Sequence, residues 1–130
     1  MGKYEAEPMK RKEKVILEPI TSSLIEEIRD KIVKYFNPEK IILFGSAARN
    51  MQNSHDIDLY IVKQRIRNVR EAERKIDELF SGRFFALDVI VRTPKQIEKG
   101  IKSGNSFLKQ EIINKGKVLY EKQRDKAGLS

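Results

Sequence analysis

Apolar residues recur at four-residue spacing from Ile20 through Leu24, Ile28 and Ile32, and Ile25, Val33 and Phe36 widen the stripe, so a long amphipathic helix is predicted from Pro19 onward. Ser23 and Glu26 have capping-box spacing, and Asn37-Pro38 stops the helix. The continuous apolar run Ile41–Phe44 then predicts a buried central strand, which Gly45-Ser46 turns into a short helix ending near Asn50. After a polar loop, Met51–His55, the pattern switches to a period of two. From Asp56 to about Lys63, Ile57, Leu59 and Ile61 point to one face of a strand, while Asp56, Asp58 and Tyr60 point to the other.

Helical spacing returns over Ile66–Ser81, with Val69, Ala72, Ile76, Leu79 and Phe80 on one face and Ser81-Gly82 as the stop. Phe84–Val91 reads as a third strand interrupted by one carboxylate, Asp88. Thr93 and Gln96, with Pro94 between them, start a helix that reaches about Lys102. A further helix is expected over about 105–115, and Val118–Tyr120 is expected to add a short edge strand. The chain therefore reads as one α/β (α+β) domain over residues 19–121, with about three to four strands in a small sheet flanked by helices. Residues 1–18 read as a mostly flexible segment whose apolar step Val15–Leu17 packs on the domain, and 122–130 as a flexible tail.

Composition narrows the chemistry. With no cysteine and one histidine, thiolate catalysis, disulfides and Cys- or His-rich metal sites are excluded, so a metal here needs carboxylate oxygens. No apolar run approaches the ~20 residues that span a bilayer, and the N-terminus has no apolar signal core, which predicts a soluble, cytoplasmic protein with no membrane partner. The net charge of +8 raises the question of nucleic acid. The basic excess is spread over the helices, however, and the stretch holding the carboxylates is the acidic part; no aromatics interleave with the basic residues as a single-strand platform requires. Nucleic acid is therefore not the expected partner.

Strands ending near one another bring Asp56, Asp58 and Asp88 onto one sheet face. Like charges that close raise at least one pKa unless compensated, and a hard divalent cation such as Mg²⁺ is the natural compensation. Two such ions, ~4 Å apart, clamp the attacking and leaving oxygens of a phosphoryl-type displacement. The structural alternative is that each carboxylate pairs with one of the 27 basic residues. At Gly45-Ser46 the backbone can approach a phosphate closely, and Arg49, one turn on, reaches the same anion. One end of the site favours phosphate and the other favours metal.

Taken together, Phe44-Gly45-Ser46, Arg49, Asp56-Ile57-Asp58 and Leu87-Asp88 resemble the minimal nucleotidyltransferases (MNT) of the DNA polymerase beta-like superfamily, over roughly residues 20–121. The resemblance implies a small mixed sheet and transfer of AMP from ATP to an acceptor hydroxyl. It implies Gly45 and Ser46 on the triphosphate with Arg49 in support, Asp56, Asp58 and Asp88 as ligands of Mg²⁺, and Asp88 as the base for the acceptor. It further implies a HEPN-domain partner, with this chain as the antitoxin that adenylylates it. Other readings are a non-catalytic binding antitoxin or scaffold and, behind it, a nucleic-acid-binding domain. Two positions depart from the family pattern: Asn50 stands where glycine is usual, and His55 where serine usually precedes the first acid. Asn50 is expected to keep a left-handed turn, and His55 to be a loop residue, ahead of a contact supporting the metal ligands or an alternative base.

Overall fold

The computed structural model describes residues 19–123. The expectations for residues 1–18, and for the tail past Gln123, lie outside the described residues. Helix α1 spans Ser22–Phe36, and its cap is Thr21, whose hydroxyl accepts from Leu24 N at 3.1 Å. The expected Ser23–Glu26 cap does not form, because Ile25 N already bonds Thr21 O and Ser23 lies inside the first turn. Asn37, in the left-handed conformation at φ 53°, closes the helix through a bond to Val33 O, and Pro38 prevents continuation.

Strand β1 (Lys40–Phe44) leads into the one-turn helix α2 (Ser46–Arg49), a 3₁₀ turn (Met51–Asn53) and strand β2 (Asp56–Val62). Helix α3 (Val69–Leu79) begins three residues later than its apolar spacing predicts, because Asn68 Oδ1 accepts from Glu71 N and caps it there. Strand β3 (Ala86–Arg92) likewise starts two residues late, level with β2, where Ala86 N finds His55 O at 3.2 Å; Phe84 stays outside the sheet. Helix α4 (Pro94–Lys102) carries the expected Thr93–Gln96 capping box with both reciprocal bonds. The C-terminal helix (Leu108–Asn114) is wound as a π-helix, closed by the five-residue bond from Lys115 N to Gln110 O. Edge strand β4 is Lys117–Glu121.

The sheet is mixed, in the order β3-β2-β1-β4. Strand β1 pairs antiparallel with β2 and, across a bulge at Ile41/Ile42, with β4, whereas β2 and β3 are parallel. One face carries Ile41, Leu43, Ile57, Leu59, Ile61, Leu87 and Val91 and is fully covered by Ile25, Ile28 and Ile32 of α1 and Ala72 and Ile76 of α3. On the opposite face the cover is partial. Leu108 and Ile112 of the C-terminal helix bury Ile42, Phe44, Tyr60 and Val62.

Along that second face of β2, Asp56 is exposed, Asp58 half-buried, and Tyr60 and Val62 buried. Alternate positions thus run from solvent into core along one strand, which is why two carboxylates and two apolar side chains share a face. Tyr60 packs under the helix as an apolar body, and its burial pushes the phenol pKa up. No helix among the described residues is long and apolar enough to cross a membrane.

Candidate active site

The site lies where β1 ends and β2 and β3 begin. Parallel pairing sets Asp58 directly beside Asp88, and antiparallel pairing sets Phe44 on its other side. Asp56 is the next residue on the same face of β2. Asp58 is therefore the centre of the group, with one carboxylate across the strand gap and another along its own strand. Its pKa is pushed up to about 6, first by burial, then by the negative charges of Asp88 and Asp56 and a hydrogen bond with Asp88; Arg49 opposes the shift.

Gly45 forms the wall against which Asp58 rests. It adopts φ 76°, ψ −155°, a region essentially reserved for glycine, and a Cβ there would overlap Asp58 Oδ2. Beyond it, Ala48 N and Asn50 N bond back to Gly45 O and Ser46 O, so the N–H groups of Ser46 and Ala47 are the ones that a first helical turn leaves open.

Ser54, 4% exposed, ties the two halves together. Its hydroxyl donates to Asp56 O at 3.0 Å, accepts from Asp56 N at 3.3 Å, and lies 2.8 Å from Ser46 Oγ. A hydroxyl has one proton to give. While that of Ser54 goes to Asp56 O, Ser46 donates to Ser54; if it turns to Ser46 Oγ, the proton of Ser46 is released for an outside acceptor. Ser54→Ala is expected to cost about 1 kcal/mol, because it removes the part-buried hydroxyl that serves both the Asp56 backbone and Ser46 Oγ, and to lower the urea midpoint correspondingly. An unchanged midpoint would show that the serine pair is not structural.

Arg49 is at the site but turned outward, with Nη1 3.8 Å from Glu111 Oε1; Glu111 is shared with Lys115 at 3.4 Å. Asn50, at φ −153°, is extended rather than left-handed, so the expected turn is absent and asparagine meets no conformational demand there. His55 is exposed, and its carbonyl serves the start of β3.

Among the described residues, no basic side chain forms an ion pair with Asp56, Asp58 or Asp88, so pairing with the described lysines and arginines does not account for them. Their oxygen donors suit a hard divalent cation. Equally, no three carboxylates or imidazoles among the described residues converge into a ready-made cage. What the fold provides is a crowded Asp58 with two carboxylate neighbours and a glycine turn against it.

Three residues at this site were not singled out by sequence. Ser54 is a loop serine with no periodicity to mark it, although its position two before Asp56 could have raised it. Glu111 and Phe107 come from the C-terminal helix, more than forty residues from the acids of β2, and nothing local connects them.

The family model described as polymerase beta, nucleotidyltransferase matches residues 26–125. No curated protein matches the sequence. Among solved structures, a candidate nucleotidyltransferase from Sulfolobus solfataricus aligns with TM-score 0.52 and 20% identity, over 77% of this chain and 79% of that one. Two mutant forms of the toxin–antitoxin complex MntA-HpeT align similarly. One carries a tyrosine-to-alanine change (TM-score 0.52, 23% identity, 75% of this chain and 73% of that one). The other carries two aspartate-to-glutamate changes two positions apart (TM-score 0.51, 21% identity, 75% and 74%). At such identities the likeness is one of fold.

Proposed function

Because the chain belongs to the polymerase beta nucleotidyltransferase family, we propose that it transfers AMP from ATP to an acceptor hydroxyl, with pyrophosphate as the leaving group. The observation that carries this reading is Asp58, held between Asp56 and Asp88 and pressed on the Gly45 turn without a basic partner among the described residues.

Asp56, Asp58 and Asp88 are the residues that would hold Mg²⁺, two ions in the full site. Bound there, Mg²⁺ would supply neutralising charge for the phosphates and for the oxygens that attack and leave. The chain's own residues perform the rest. Gly45 lets the backbone approach the triphosphate, the open N–H groups of Ser46 and Ala47 donate to it, and the Ser46 proton joins them when Ser54 turns. Arg49 exchanges Glu111 for a phosphate oxygen. Asp88, the exposed cross-strand neighbour of Asp58, accepts the proton of the acceptor hydroxyl as that oxygen bonds to the α-phosphorus and the bond to pyrophosphate breaks.

The acceptor, in this reading, is a side-chain hydroxyl on a partner toxin of the HEPN type. Support comes from the sequence resemblance and from the fold shared with a protein crystallised as part of a toxin–antitoxin complex. A second reading, which the same resemblance allows, is neutralisation of the toxin by contact alone. Incubating the chain with ATP, Mg²⁺ and the product of its neighbouring gene separates the two. An added AMP found on the partner by mass spectrometry is the expected result. No adduct, together with full neutralisation by an Asp56→Ala/Asp58→Ala variant, would sink the enzymatic reading in favour of contact.

A further inference from the structure

Phe107 stands at the entrance to the C-terminal helix, 43% exposed, and its ring meets that of Phe44 at 5.6 Å between centroids and 87° between planes. Phe44 is itself buried, precedes Gly45, and is the cross-strand neighbour of Asp58. An exposed aromatic is thus fastened to a residue shared by both halves of the site. The fastening is firm: Leu108 and Ile112 anchor the helix in the core, Asn105 Oδ1 caps Leu108 N at 3.0 Å, and Glu111 reaches Arg49. Perpendicular packing means that Phe44 covers at most one flat face of the Phe107 ring, whichever ring presents its edge.

We infer that Phe107 is the stacking platform for the base of the bound nucleoside triphosphate, a site resting on the nucleotidyltransferase reading above. A triphosphate seated at Gly45-Ser46 needs an apolar surface for its base within reach, and an immobilised, partly exposed ring offers it at little entropic cost. Stacking reads π-area rather than hydrogen bonds, so purines should bind better than pyrimidines, and tripolyphosphate, with no base, should ignore the platform.

The test is calorimetric titration of ATP and of tripolyphosphate, each with Mg²⁺, into the wild-type chain, Phe107→Leu and Phe107→Trp. Phe107→Leu keeps apolar cover over Phe44 but removes the flat face. It is expected to weaken ATP roughly tenfold to a hundredfold, to leave tripolyphosphate unchanged, and to melt like the wild type; Phe107→Trp should retain or tighten ATP. Equal ATP affinity in wild type and Phe107→Leu would overturn the platform, as would an equal loss for both ligands. ATP binding that depends on Phe107 in a protein that transfers no AMP would leave the platform standing and remove the transfer reading. No ATP binding by the wild-type chain would overturn both.

Discussion

Replacing Asp58 by asparagine is expected to make the metal-free protein more stable and inactive at once. The shape of the side chain is kept and its charge removed, so the two effects have separate causes. Loss of a ligand to a cation that supplies several kcal/mol of transition-state stabilisation should lower nucleotidyl transfer by at least ~10³-fold. Stability moves the other way. Folding raises the Asp58 pKa from 3.8 to about 6, so above pH 6 the folded protein carries a carboxylate that burial and two neighbouring charges disfavour. As pH falls through 6 the native state takes up a proton that the unfolded chain refuses until about 3.8, and wild type regains stability relative to the variant. The advantage of Asp58→Asn should therefore be full at pH 8, shrink between pH 6 and 4, and vanish below. Because the side chain is only half-buried, solvent screening holds it to on the order of 1 kcal/mol. Urea denaturation of both proteins at pH 8 and pH 4.5 measures this. A variant less stable than wild type at pH 8, or one that keeps a tenth of the activity, contradicts the account. Mg²⁺ should raise the melting temperature of the wild type at pH 8 and have much less effect on the variant.

Why Asp58 rather than Asp56 carries this burden is decided by register, and that marks the boundary of what the sequence alone makes legible. Alternation in Asp56–Val62 puts both acids on one face because a period of two is a local property of the strand. Likewise the long helix, the central strand and the Thr93–Gln96 cap follow from spacing within a few residues. The pairing of Asp58 with Asp88 is different. It depends on how far the α3 crossover carries the chain before β3 joins β2, and no local pattern encodes that shift. The same holds for the end of β1, where Phe44 falls beside Asp58. Competition among neighbouring polar residues is equally hard to read: Thr21 and Ser23 are both competent caps, and only the helix's actual first turn chooses Thr21. Ser54 takes the hydroxyl role beside Asp56 where the family pattern draws attention to position 55, because the 3₁₀ turn aims it inward and leaves His55 outside. Long-range contacts such as Phe107 on Phe44 and Glu111 on Arg49 arise only once the C-terminal helix has folded back over the second face.

Gly45→Ala should damage stability and activity together. Its backbone occupies the glycine-only region at φ 76°, ψ −155°, which an alanine adopts at a cost of about 1–3 kcal/mol. The added Cβ also overlaps Asp58 Oδ2, and Asp58 cannot yield freely, because Asp88 lies across from it and Phe44 occupies its other flank. Strain and displacement therefore reinforce each other at one position. The expected outcome is destabilisation of about 2 kcal/mol or more by urea denaturation, and a fall of at least ~10²-fold in nucleotidyl transfer, since misplacing a reacting group by an ångström costs that much. Gly82→Ala is the control: Gly82 also has positive φ, 79°, but a Cβ there meets nothing within 4 Å. It should lose about 1–2 kcal/mol from left-handed strain alone and keep its activity. If the two variants lose stability equally and both remain active, the turn at Gly45 serves the backbone only, and the contact between Gly45 and Asp58 is not what joins the phosphate and carboxylate halves of the site. If only Gly45→Ala loses transfer, and the double variant is no less active than Asp58→Asn alone, the close approach of glycine to carboxylate is the point at which the two halves act as one.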